Sequence, residues 1–164
     1  MASLKYGCIN PSPKGREYPV AATQKFKHEG GAFVYLDGSG HVTLVATATA
    51  TIFGYAIIPA GVGAAAAGSA FWQSSGTAGA DKLFVITDDD AEFIIPADDT
   101  VTVAMAGNAC DIVALTDGTA QVADVGTSTT DVLRIQGVAT KYGSMYAATD
   151  AIVKMNPAKR QSDT

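Results

Sequence analysis

The sequence is short of charge. Asp, Glu, Lys and Arg make up 16% of its 164 residues, against roughly 25% in an ordinary soluble domain, so its surface must be built largely from Thr, Ser, Gly and Ala. Such a surface suits a protein that works buried among neighbours. Histidine is scarcer still, with His28 and His41 the whole supply. There is no HExxH, no GxSxG and no Ser-His-Asp set for them to join, so both read as ordinary surface or hairpin histidines. Cys8 and Cys110 are too few and too widely spaced for a disulfide framework or a zinc signature. They read as free thiols of a protein made in a reducing cytoplasm, and Cys8 lies in a segment that offers a catalytic thiol no preorganised pocket. Gly107, Gly118, Gly126 and Gly137 are too scattered for a phosphate loop and read as turns. The expectation is therefore a non-enzymatic protein with no catalytic residue, no metal and no cofactor.

Long apolar runs are also missing. The start, Met-Ala-Ser-Leu-Lys-Tyr-Gly-Cys, lacks the continuous apolar stretch of an export signal, so export is not expected. Ile52 to Phe71 runs twenty residues without a charge, which is the length of a spanning helix. It is broken by Gly54, Pro59, Gly61, Gly63 and Gly68, its middle is mostly alanine, and no Lys or Arg lies between Gly38 and Ala80 to anchor an end. No membrane association is expected.

What charge there is lies unevenly. Residues 1–27 carry a net +4, residues 28–133 a net −12 and residues 134–164 a net +3, giving −5 in all. An acidic body with basic ends is a poor nucleic-acid binder but suits ends that grip an acidic neighbour. The length allows one domain with one core, not two full domains.

Pro11, Pro13 and Pro19 and the lack of apolar periodicity make residues 1–27 an extended N-terminal arm rather than a helix or sheet strand. The arm combines aromatic side chains, which must bury against the protein's own body or a neighbouring subunit, with positive charge, so Tyr6, Lys14, Arg16, Tyr18 and Phe26 are the candidate contact residues. Residues 28–155 read as an all-β body, a small antiparallel barrel or sandwich. Ala32–Leu36 and His41–Val45 flank Asp37-Gly38-Ser39-Gly40 as a hairpin, and a third strand spans Thr51–Ile58. Ala60–Ala80 reads as a small-residue loop whose Phe71 and Trp72 are expected to pack rather than stay exposed. Leu83–Thr87 and Ala91–Ile95 flank a tight acidic turn at Asp88-Asp89-Asp90. The alternation from Asp99 predicts Val101 and Val103 on one face, with Thr100 and Thr102 on the other. Strands follow at Asp111–Leu115, Ala120–Val122 and Val132–Val138, with a turn at Asp117-Gly118 and a closing strand at Ala151–Met155. Residues 156–164 read as a flexible basic tail. The three consecutive acids, even with Glu92, do not match the alternating spacing of a calcium loop and read as a solvated turn; Asp98-Asp99 reads as a polar strand start.

The stretch Ala80-Asp-Lys-Leu-Phe-Val-Ile-Thr-Asp-Asp-Asp-Ala-Glu-Phe-Ile-Ile-Pro-Ala97, followed by Gly107-Asn-Ala-Cys-Asp-Ile112, Thr127-Ser-Thr-Thr130 and Val132-Leu-Arg-Ile-Gln-Gly137, resembles the head decoration, or capsid cement, proteins of tailed phages. Gly30-Gly-Ala-Phe-Val-Tyr35 and Thr51-Ile-Phe-Gly54 add to the likeness. The resemblance covers about a third of the chain. It implies a β-barrel virion protein that binds the major capsid protein on the outer face of an icosahedral shell as a homotrimer at local threefold positions, with no catalytic residue to carry over. The alternatives are another virion component, such as a head fibre base, a tail part or a minor coat protein, and a cell-surface β-adhesin. A major shell protein is not expected, because little in the sequence reads as a long helix.

Overall fold

The computed structural model describes residues 7–27, 30–58, 71–114, 121–139 and 148–162. Thirteen strands lie among them: β1 (Gly7–Cys8), β2 (Gly15–Pro19), β3 (Lys25–Lys27), β4 (Gly30–Leu36), β5 (Val42–Leu44), β6 (Gly54–Ile58), β7 (Phe71–Gln73), β8 (Lys82–Ile86), β9 (Phe93–Val101), β10 (Ala109–Ala114), β11 (Gln121–Asp124), β12 (Leu133–Val138) and β13 (Ala148–Met155), with 3-10 turns at Val103–Met105 and Pro157–Lys159. The protein is all-β, as its turn spacing leads one to expect.

Strands β9, β11, β10, β12 and β13 pair in that order, and β13 returns to β9, closing a five-stranded barrel to which β1 adds on one edge of β9. The interior follows from period-two alternation. Leu133 and Ile135 are buried inside while Arg134 and Gln136 point out. Phe93, Ile95, Val101, Cys110, Ile112, Ala123, Ala151, Val153 and Met155 fill the remainder. A small barrel closes only if its strands bend, and two irregularities supply the bends. One falls between Ala148 and Asp150, opposite Pro96, and the other between Ile135 and Gly137. A proline in a paired strand is tolerated at such a place because the ladder is already broken.

The second sheet is antiparallel throughout, in the order β2-β8-β6-β4-β5. Its central strands bury side chains on both faces, except at Ile57 and Phe84. Phe33, Tyr55 and Ile86 face the barrel core, whereas Ala32, Val34, Ala56, Leu83 and Val85 face a second core. The β3–β7 ribbon lays Phe26 and Trp72 over that second core, their ring centroids 5.7 Å apart. The sheet is drawn in tightly. A Cβ on Gly31 would sit 2.1 Å from the Ala56 carbonyl oxygen, and one on Gly54 2.5 Å from that of Ile86, so only glycine fits at either point.

Several expectations need correction. The expected arm is not an arm over residues 7–27, because β1, β2 and β3 are all paired strands of the body. The prolines hid this: Pro19 closes a five-residue edge strand, where a missing N–H costs no central ladder bond. There are two cores, not one, since the walls of both are cut from the same strands. β9 ends at Val101, and Val103 turns outward at 63% exposure instead of joining Val101 inside. The basic tail is docked as far as it is described, with Arg160 bridged to Ile52. Trp72 is buried as expected. Tyr6, His28, the alanine run of Ala60–Ala67, Leu115, the Asp117-Gly118 turn and Ala120 lie outside the described residues.

Candidate interaction surface

The five candidate contact residues do not form one surface. Tyr18 is buried and stacks edge-on against Phe53, with ring centroids 4.9 Å apart, and Phe26 is fully buried beneath Trp72. Both are spent on the protein's own second core, because β2 and β3 each turn one face inward. Arg16 is exposed but folds back on its strand: its Nε donates to Tyr18 Oη at 2.7 Å and its guanidinium lies 4.9 Å from the Tyr18 ring centroid. Lys14 is exposed, and its backbone N–H donates to Asp88 Oδ2 at 3.2 Å. Tyr6 falls outside the described residues.

The groups that carry chemistry elsewhere are engaged in structure. Burial raises the Cys8 thiol above its ordinary value and pushes that of Cys110 up to about 12, with Asp111, Asp124, Asp98 and Asp131 adding to the second shift. Neither is an activated nucleophile. Among the described residues no three His, Cys, Asp or Glu side chains converge as a metal cage, and no helix is long and apolar enough to cross a membrane. The acidic turn is self-capped, Asp90 N–H donating to Asp88 Oδ1 at 3.1 Å, and it pairs with basic residues: Arg160 Nε lies 3.0 Å from Asp89 Oδ1 and Lys154 Nζ 4.0 Å from Asp90 Oδ1.

Three of the segments that carry the resemblance, Gly107–Ile112, Thr127–Thr130 and Val132–Gly137, meet at one end of the barrel. Asp111 accepts hydrogen bonds from the backbone N–H groups of Thr129, Thr130 and Asp131 at 3.0, 2.9 and 2.8 Å, gathering the Thr/Ser-rich connection onto β10. Burial works to raise this carboxyl, but the three donors outweigh it and hold it below the ordinary carboxylate range. Beside it, Asn108, Ala109, Val125, Gly126, Thr127 and Ser128 line an open depression of about 310 Å³. The β9–β10 loop is anchored there through Gly107 N–H to the Ile135 carbonyl at 2.8 Å and Ile135 N–H to the Asn108 carbonyl at 2.9 Å. Its tip, Val103-Ala104, is exposed, and no charged residue occurs between Asp99 and Asp111. The loop is thus a fixed, uncharged knob. A second apolar pair, Ile57 and Phe84, lies side by side in register on β6 and β8 at 37% and 38% exposure.

Three polar side chains that carry no sequence signal join the parts together. Gln121 is buried; its Oε1 accepts from Phe33 N–H at 2.6 Å, and its Nε2 donates to the Phe33 and Val45 carbonyls at 2.9 Å each. Gln161 does the same for Leu36, accepting from its N–H at 2.8 Å and donating to its carbonyl at 3.0 Å. Asn156 is buried, donates to the Asp131 carbonyl at 2.7 Å and accepts from Arg134 Nε at 3.2 Å. A lone Gln or Asn on a strand end carries no periodic signal, so none was legible in advance. Comparison with protein-family models, with curated proteins and with solved structures finds no match to this chain.

Proposed function

We propose that this protein is a virion structural component, a decoration or cement protein that binds the outer surface of a tailed-phage capsid through the major capsid protein, most simply as a homotrimer. The observation that carries this reading is the meeting, at one end of a closed barrel, of three of the segments that resemble phage decoration proteins, Gly107–Ile112, Thr127–Thr130 and Val132–Gly137, with a rigid, uncharged loop tip at Val103. A fixed apolar projection on a weakly charged surface is suited to burial against a partner. Lys14, exposed beside β2, is placed to meet an acidic group, whereas Arg16 is turned back onto Tyr18. Exposed ion pairs are each worth only about 0–1 kcal/mol, so the apolar knob supplies affinity and the charges set placement. Tyr18 and Phe26 have no part in this contact, being buried within the chain.

The test is binding of the purified protein to undecorated capsids across a salt series. Val103→Asp leaves the core untouched, so its melting temperature should match that of the unaltered protein while its capsid affinity falls at least tenfold. Binding of the unaltered protein should persist at high salt, because an apolar contact is not screened. Unchanged binding by Val103→Asp would remove the barrel end as the contact surface. Absence of binding together with sedimentation as a monomer would remove the cement reading itself. A low copy number per particle would favour a minor virion component instead.

A further inference from the structure

We propose that residues 157–162 form a strap that closes the seam between the barrel and the second sheet, with Arg160 as its latch, and that this strap opens as a unit while both cores stay folded. It starts from a fixed point, since Asn156 is buried and its N–H donates to the Val132 carbonyl at 2.9 Å. Past that point the chain crosses to the other sheet. Ile52 N–H donates to the Lys159 carbonyl at 2.9 Å, and Gln161 N–H donates to the Ile52 carbonyl at 2.8 Å. The Arg160 guanidinium donates to the Phe53 carbonyl and, at 2.8 Å, to that of Thr87, lies against the Met155 sulfur, and pairs with Asp89 at the acidic turn. Gln161 holds both backbone groups of Leu36. Six backbone groups of the sheet (the N–H and C=O of Leu36 and of Ile52, and the C=O of Phe53 and Thr87) are therefore satisfied by three consecutive strap residues.

The strap closes by polar bonds almost alone. No residue from Pro157 to Ser162 is buried, and the Arg160 pair depends on an Asp89 side chain that is 73% exposed. The centre of the seam is held differently, by Phe33, Tyr55 and Phe93 with ring centroids 4.8–5.1 Å apart, and by the buried Gln121. Segments with few buried apolar contacts and a solvent-reachable set of hydrogen bonds are the first to open. A groove of about 420 Å³, lined by Leu36, Asp37, Gly38 and Gly40 on one side and Arg160, Gln161 and Ser162 on the other, already lies beside the strap. Opening would widen it and bare a row of unpaired backbone groups, which is the form of site to which another extended segment adds.

Amide hydrogen exchange of the full chain tests this. In the unaltered protein the amides of Leu36, Ile52 and Gln161 should exchange through one shared opening, faster than those of Phe53 and Ile135, which donate to Val34 and Asn108 and not to the strap. Arg160→Gln should speed all three strap-dependent amides at least tenfold and leave Phe53 and Ile135 unchanged. Asp89→Asn should give a smaller, equal rise at the same three sites, which high salt reproduces in the unaltered protein. If Arg160→Gln speeds every amide alike, or abolishes folding while Asp89→Asn leaves the three sites unmoved, Arg160 is an ordinary stabilising residue and the strap is not a device. Independent responses of Leu36 and Ile52 would equally overturn it.

Discussion

At the scale of single residues, Asp111 shows how a charge sparingly used can organise a loop. Its carboxylate satisfies three consecutive backbone donors, so Asp111→Ala strips all three at once and is expected to cost about 3 kcal/mol in urea unfolding. The sign with pH follows from its lowered value. The stabilisation is fully present above the ordinary carboxylate pKa of roughly 3.9 and is lost as pH falls through the lower folded value. Below about pH 4 the unaltered protein should therefore lose stability more steeply than Asp111→Ala, and parallel slopes would count against the carboxylate's role. Gly31 makes the opposite case, a residue defined by what it lacks. A Cβ there meets the Ala56 carbonyl, which is backbone and cannot give way, so Gly31→Ala should cost about 2–4 kcal/mol.

At the scale of elements, the N-terminal segment changes meaning most. β2 pairs over its whole length with β8, from Gly15 opposite Ile86 to Pro19 opposite Lys82, and delivers Tyr18 to the core. A chain that begins at Lys25 should therefore lose more than a contact. The exposed edge of β8 and the space left by Tyr18 should abolish the folded Trp72 fluorescence and the β-type circular dichroism. Retention of both, with an unchanged melting temperature, would mean that the segment is an accessory arm after all. The acidic turn illustrates a related point. β8 and β9 flank it, as the residue pattern suggests, yet they belong to different sheets, so the turn passes the chain from one sheet to the other and stands where Arg160 meets it.

At the scale of the whole molecule, the two cores share their walls. β4, β6 and β8 contribute side chains to both, so neither core can be lost without exposing one face of the other. Trp72 is the single tryptophan and sits in the second core alone, which makes its fluorescence a local reporter against the global signal of circular dichroism. The two transitions should coincide in urea. An earlier loss at Trp72 would mean two separable units. The segregated charge of the sequence also resolves at this scale, because Arg160 and Lys154 reach Asp89 and Asp90 of the acidic body within the same chain.

The class of fold and most of the strands were legible in the residue pattern, because period-two burial and turn chemistry are local: Leu133 and Ile135 in with Arg134 and Gln136 out, or the Asp37–Gly40 turn between β4 and β5. The same pattern carried Gly107–Ile112, Thr127–Thr130 and Val132–Gly137, the resemblance segments that the barrel end brings together. What it left open depended on partners distant in the chain. Whether Gly15–Pro19 is an arm or a strand is decided by the free edge of β8, and whether residues 157–162 fray or dock is decided by Ile52, Leu36 and Thr87. Short segments bracketed by proline, and isolated Gln, Asn and Arg side chains, hold too few residues for a periodic signal. Their hydrogen bonds exist only once the two sheets have been brought face to face, and so the second core, the seam and its strap were settled by tertiary structure.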